Sequence, residues 1–215
     1  MALAVCTINH KGGVGKTTAA LIFVETAAIN GLKVLAVDLD PQKNLTDSIK
    51  FAHEYLKDSN IIVQDTLEAS DAKKDFDFFV IDCPPRLEDV TRRAVDFADI
   101  IIIPVKGDLY SLTNLGVVYD FIEKANKIPA QSALLKNGFE QTQTARSIES
   151  LIHDKNYSIA GRWPINNHIP NNVASGRPWW SRMAKDQQAP FVATYNKIWS
   201  AWGKLQARDF TNTWR

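Results

Sequence analysis

The chain has 215 residues, of which 45% are apolar and 23% charged, a balance that fits a soluble globular protein and excludes a disordered, collagenous or coiled-coil one. Its length suits one domain or at most two small ones, with a core that needs no staples. The net charge of +1 hides an asymmetry: residues 1–145 hold 15 Lys+Arg against 20 Asp+Glu, and residues 146–215 hold 10 against 4. That basic last third, which also carries all six tryptophans, is either a surface for an anionic partner or solvated charge. Cys6 and Cys83 belong to no C-x-x-C pair, which argues against a disulfide framework, a zinc ribbon or an iron–sulfur cluster held within one chain. A reducing, cytoplasmic setting is expected. No run of 18 apolar residues predicts a membrane helix. Met1–Asn9 lacks a charged leader and a cleavage site, so it reads as a first strand and not as a signal peptide.

In chain order, Leu3–Ile8 is a short apolar run that enters a glycine loop. Thr17–Asn30 reads as a helix closed by Gly31, and Lys33–Asp38 as a buried strand. Asn44–Leu56 reads as helical, and Phe76–Asp82 as a third buried run stopped by Pro84 and Pro85. Glu88–Ala98 follows as a helix, Ile100–Val105 as a fourth strand and Leu109–Asn126 as a long amphipathic helix. Ala130–Leu135 is a weaker strand, Thr142–Asn156 a helix, and Tyr157–Trp163 a last strand. Asn166–Pro178 is rich in Asn, Gly and Pro and reads as irregular. Phe191–Arg208 reads as a final helix, since Phe191, Tyr195, Ile198, Trp202 and Leu205 recur at helical spacing. Strands apolar on both faces, with helices between them, predict a parallel sheet covered on both sides. With no repeat or linker in view, one domain over residues 1–215 is expected.

The segment His10-Lys11-Gly12-Gly13-Val14-Gly15-Lys16-Thr17-Thr18 lies between a predicted strand and a predicted helix. That is the setting in which backbone N–H groups and a helix N-terminus converge on phosphate. Gly12, Gly13 and Gly15 permit close approach of the backbone. Lys16 can reach the β and γ phosphates, and the Thr17 hydroxyl can hold Mg²⁺. The pattern G-x-x-x-x-G-K-[ST] is not fully met, because His10 stands at its first glycine. The alternative is a plain glycine turn, but these residues in this context have a chance frequency of about 10⁻⁴ or below.

KGGVGKTT resembles the deviant Walker A motif of the ParA/MinD superfamily of ATPases. VLAVDLDPQ (Val34–Gln42) is similar to that family's second motif, and FFVIDCPP (Phe78–Pro85) to its Walker B and switch segment. The resemblance covers roughly residues 2–125. It implies a three-layer α/β P-loop NTPase fold, a mostly parallel twisted sheet with helices on both faces. It also implies ATP and Mg²⁺ as cofactors, bound by residues 11–18, from Lys11 through Gly12, Gly13, Val14, Gly15, Lys16 and Thr17 to Thr18. Carried over position by position, Lys11 is the signature lysine that crosses to a partner subunit's nucleotide, Asp40 positions the attacking water, and Thr17, Asp38 and Asp82 lie at Mg²⁺. Taken alone, Asp38 and Asp40 would read as a solvated strand end before a turn. Two departures stand out: Lys43 replaces the usual Gly after DPQ, and Val105-Lys106-Gly107-Asp108 replaces a Pro-rich segment. Asn137 lies where the family often has a base-contacting Asn-Arg pair, but Lys136-Asn137-Gly138 lacks the Arg and reads as a turn.

The leading expectation is a short partition ATPase of the ParA type, without an N-terminal helix-turn-helix domain. Its ATP-bound homodimer would hold DNA non-specifically through the basic last third, and a ParB-type partner would stimulate hydrolysis. Arg177, Arg182, Lys185, Lys197, Lys204, Arg208 and Arg215 are the candidate phosphate contacts. Trp179 and Trp180 either join that patch or pack inside. A MinD-like membrane cycle needs an amphipathic tail outside the fold, whereas the 191–208 stripe suits docking and Asp209–Arg215 is short and polar. Positioning of a protein cargo remains an alternative. A redox relative lacks ligand cysteines, and a tyrosine kinase would carry a tyrosine cluster that this tail lacks.

Overall fold

The computed structural model describes residues 2–56, 60–67, 74–140, 142–208 and 213–214. The strands are β1 (Leu3–Thr7), β2 (Val34–Asp38), β3 (Ile61–Gln64), β4 (Phe78–Asp82), β5 (Ile100–Val105), β6 (Ser132–Asn137) and β7 (Ile159–Trp163). They form one seven-stranded sheet in the order β3-β2-β4-β1-β5-β6-β7, with every pairing parallel. The helices are α1 (Lys16–Ile29), α2 (Asn44–Phe51), α3 (His53–Leu56), α4 (Asp89–Phe97), α5 (Leu109–Glu123), α6 (Gln143–Asp154), α7 (His168–Ala174) and α8 (Lys185–Gln206).

Side-chain alternation builds the three layers. Leu3 and Val5 of β1 point to one face, where they meet α1, α2, α7 and α8. Ala4 and Cys6 point to the other, where α4, α5 and α6 cover them. Both faces are dry, so the four central strands are buried along their whole length. The chain leaves β1 toward β2 and β3, returns through β4, and then crosses to β5, β6 and β7. Direction therefore reverses around β1, and a crevice opens at the carboxyl ends of the strands there.

Four sequence expectations need correction. Ile61–Gln64 is an edge strand that the apolar runs do not reveal, because its alternating half-buried pattern spans only four residues. The helix expected over Asn44–Leu56 breaks at Ala52 into α2 and α3. Asn166–Pro178 contains α7: Asn166 Oδ1 accepts from the N–H groups of His168 at 2.8 Å and Ile169 at 3.3 Å, and Pro170 falls in the first turn, where no N–H is missed. The last helix starts at Lys185 and runs through Pro190. Gln187 Oε1 opens it by accepting from Ala184 N at 3.0 Å.

Candidate functional site

The phosphate loop runs from Asn9 to the start of α1. Gly13 and Gly15 take φ of 73° and 106°, in the left-handed region that only glycine enters cheaply. A Cβ placed on Gly12 or Gly13 would meet nothing within 4 Å, so the loop lines open space. No side chain caps α1 and no acidic residue stands in its first turn, which leaves its N-terminal N–H groups and dipole available to an anion. Lys16 is 7% exposed, and its Nζ donates to the Lys11 carbonyl at 3.2 Å. Burial lowers its pKa, while Asp82 and Asp40 hold it up. A cleft of about 300 Å³ gathers Gly12, Lys16, Thr17, Asp40, Gln42 and Pro85.

The acidic residues come from neighbouring strand ends. Register puts Thr7 of β1 and Asp38 of β2 level with Asp82 of β4. Asp82 Oδ1 accepts from Thr7 Oγ1 at 3.2 Å, while its Oδ2 is buried with no hydrogen-bond partner among the described residues. Burial first, then Asp38, pushes the Asp82 carboxyl up to about 7, against the pull of Thr17, Lys16 and Thr7. A buried orphan carboxylate oxygen beside Thr17 is what a cation with its waters would satisfy.

Both carboxylate oxygens of Asp38 are engaged by the protein. Its Oδ1 accepts from Asp40 N at 3.2 Å, and its Oδ2 from Thr46 N and Thr46 Oγ1 at 2.9 and 2.8 Å. It thus fixes the Asp40 turn and the first turn of α2. Asp40 Oδ1 in turn accepts from Gln42 N at 3.0 Å. Lys43 has φ 55°, which accounts for glycine being usual there; here its Nζ donates to the Asp38 carbonyl at 2.9 Å and ties the turn from the other side.

The sequence reads Asn137 as a turn; the sheet gives it a further contact. It ends β6, and its Nδ2 donates to the Val14 carbonyl at 2.9 Å. A Cβ on Gly15 would overlap it. Beside it lies a cleft of about 450 Å³ that begins at Gly13, Gly15 and Thr18 and extends over Asn137, Ile165 and Asn166. The two clefts share Gly13, Gly15 and Thr18, so the more polar one along the glycine loop continues into a less polar slot. Lys11 turns outward to Asp108, the last residue of the segment that departs from the family pattern.

The basic last third divides. Arg182, Lys185 and Arg208 are exposed, and Arg177 and Lys204 are half-buried. Lys197 is bound into the fold, with its Nζ donating to the Ile159 carbonyl at 2.8 Å. Arg215 lies outside the described residues, as do residues 209–212. Trp179 is 1% exposed and packs against Phe191, which settles its place in the core. No helix among the described residues is long and apolar enough to cross a membrane.

A family model described as an AAA domain matches residues 2–69 and 53–135. The chain is 27% identical over 170 residues to the sporulation initiation inhibitor protein Soj of Bacillus subtilis, covering 59% of this chain and 67% of that protein. It is 25% identical over 208 residues to the chromosome-partitioning ATPase Soj of Treponema pallidum, covering 77% and 82%. Its fold matches that of the septum site-determining protein MinD of Pyrococcus horikoshii, solved with Mg-ADP, with a TM-score of 0.74 at 19% identity, covering 92% of this chain and 96% of that one.

Proposed function

The chain belongs to the AAA-domain family and, within it, to the ParA/MinD type of ATPase, and from that premise we propose that it is a DNA-partition ATPase that hydrolyses ATP to ADP and phosphate with Mg²⁺. The observation that carries this reading is the division of labour between two lysines on one loop. Lys16 is buried at the start of α1, and Lys11 turns out to a partly exposed surface. A single-chain site needs only the first. The second serves a nucleotide held by another copy, as a cation supplied in trans stabilises charge on a transferred phosphoryl group.

In this reading the N–H groups of residues 12–18 and Lys16 hold the phosphates, and the Asn137 cleft seats the nucleoside. Thr17 and Asp82 would hold Mg²⁺, which would supply charge neutralisation at the phosphates. Asp40 orients the attacking water, and Asp38 acts by holding Asp40 and α2 in place. Catalysis is positioning and charge stabilisation, without a covalent intermediate. The ATP-bound dimer doubles the exposed cations of the last third, Arg182 and Lys185 around the start of α8 and Arg208 beyond its end, which suits contact with phosphate backbone. A ParB-type partner protein stimulates turnover.

The test is fluorescence anisotropy with random duplex DNA, in Mg²⁺ with ADP or a slowly hydrolysed ATP analogue, across a salt series. Binding only in the ATP-like state, falling steeply with salt, is the expected result. A nucleotide-dependent dimer that ignores DNA in both states would refute the DNA reading and move the search to membranes and protein cargo, beginning with liposome pelleting.

A further inference from the structure

Lys11 is held in two different ways. Its main chain is fixed: the N–H donates to Asn9 Oδ1 at 3.0 Å, the carbonyl accepts from Lys16 Nζ, and Asn9 Nδ2 donates to the Pro104 carbonyl at 2.8 Å. Its side chain reaches across to the loop leaving β5. There Nζ lies 2.7 Å from both carboxylate oxygens of Asp108 and 5.7 Å from the centre of the Tyr110 ring. The Lys11 and Asp108 side chains are 27% and 39% exposed, and Tyr110 is 71% exposed. The clasp therefore sits on the surface beside the phosphate loop, within reach of another molecule.

Two features make such a clasp releasable. A partly exposed ion pair is weak, about fivefold in equilibrium terms at its upper end, so the greater charge of a triphosphate outcompetes a single carboxylate. Asp108 also stands immediately before α5, where a carboxylate has the N–H groups of the first helical turn as an alternative to the lysine. Freeing Lys11 therefore strands no isolated buried charge.

We infer that Asp108, with Tyr110 beside it, is a positioning residue that holds Lys11 in cis and has to release it before Lys11 can engage the nucleotide of a second copy of this chain. The cis pair competes with the trans contact and sets the protein concentration at which ATP drives dimerisation. The inference rests on the ATP-bound dimer proposed above.

The experiment is sedimentation velocity of the full chain in Mg²⁺ with a slowly hydrolysed ATP analogue, over a range of protein and salt concentrations. The wild type is compared with Asp108→Asn, Asp108→Ser and Asp108→Glu. Asn and Ser remove the charge and still begin a helix well. Both are expected to dimerise more tightly than wild type, by threefold or more and up to about 25-fold, since each dimer frees two clasps. The gap should narrow as salt screens the wild-type pair, and Asp108→Glu should return the threshold toward wild type. Tightening is opposite in sign to what structural damage would cause. If Asn and Ser variants dimerise no better than wild type, or both fail to fold, the inference is overturned. A wild type that stays monomeric with the analogue as with ADP removes the dimer reading and this inference together. A wild type that dimerises beside unchanged variants removes the inference alone.

Discussion

Glu25 offers the sharpest quantitative test of the core. It lies in the middle of α1 and is fully buried. Its Oε2 accepts from Trp179 N at 2.7 Å, while Oε1 is buried with no partner among the described residues. Burial pushes its carboxyl from 4.5 up to about 8, against the pull of the Trp179 N–H. In the unfolded chain it titrates near its ordinary value. Between those two points the folded protein keeps a proton that the unfolded chain has lost, so its contribution to stability is fullest below pH 4.5 and is lost as pH rises to about 8. The whole loss is roughly 5 kcal/mol, a large share of what a domain has. Glu25→Gln keeps an oxygen for the Trp179 N–H and cannot ionise. Urea unfolding, followed by tryptophan fluorescence at pH 5, 7 and 9, should show Glu25→Gln gaining on the wild type by about 3–5 kcal/mol between the ends of that range. Asp82, pushed up to about 7, titrates in the same window but is present in both proteins and cancels in the difference. Parallel stability profiles would refute a buried, neutral Glu25.

Further expectations concern the site itself. Gly15→Ala forces a Cβ into a φ of 106° and against Asn137, so affinity for an ATP analogue should weaken at least about tenfold by calorimetry, the strain alone being worth roughly 1–3 kcal/mol; wild-type affinity would show that the loop does not meet β6 as described. Lys16→Ala should take nucleotide binding below detection in the same titration, and tight binding in its absence would end the phosphate-loop assignment. Asp40→Ala should leave nucleotide binding and dimerisation intact and slow hydrolysis by about a hundredfold or more. Phosphate release at the wild-type rate would take Asp40 out of the mechanism.

What the sequence showed, and what it hid, follows from how local each signal is. That the glycine loop, Asp38, Asp40 and Asp82 share one edge was legible because short motifs sit at strand ends, and a parallel sheet brings all strand ends to one edge. The apolar runs of β1, β2, β4 and β5 were legible because both faces are buried. Strand β3 was not, because an edge strand buries less and carries a weaker pattern. Helix α7 was hidden because Asn and Pro serve loops and helix starts alike. Asn137 and Asp108 could not be placed by spacing: they lie 123 residues from Val14 and 97 from Lys11 in the chain, and only sheet order joins them. A signal did exist for Lys43. A residue in place of a usual glycine has to tolerate positive φ, and a long basic side chain can hold the turn in compensation.

The last third of the chain shows why charge and aromatic content have to be read separately. Trp163, Trp179 and Trp214 are buried, and Trp180, Trp199 and Trp202 are half-buried against the same layer. Trp163 Nε1 donates to Thr194 Oγ1 at 2.9 Å, which pins α8 to β7, where Gly161 leaves no room for a Cβ beside Thr194. The helical stripe on α8 is therefore a docking face, and it is already used to cover the sheet over α1. Aromatic rings committed to the core do not stack on splayed bases, the device by which single strands are held. The cations of this third that face outward include Arg182 and Lys185 around the start of α8 and Arg208 beyond its end. Charge without stacking reads phosphate density and not base identity. The DNA contact proposed for this chain is accordingly one to the duplex backbone, indifferent to sequence, and dependent on a dimer to bring enough cations together.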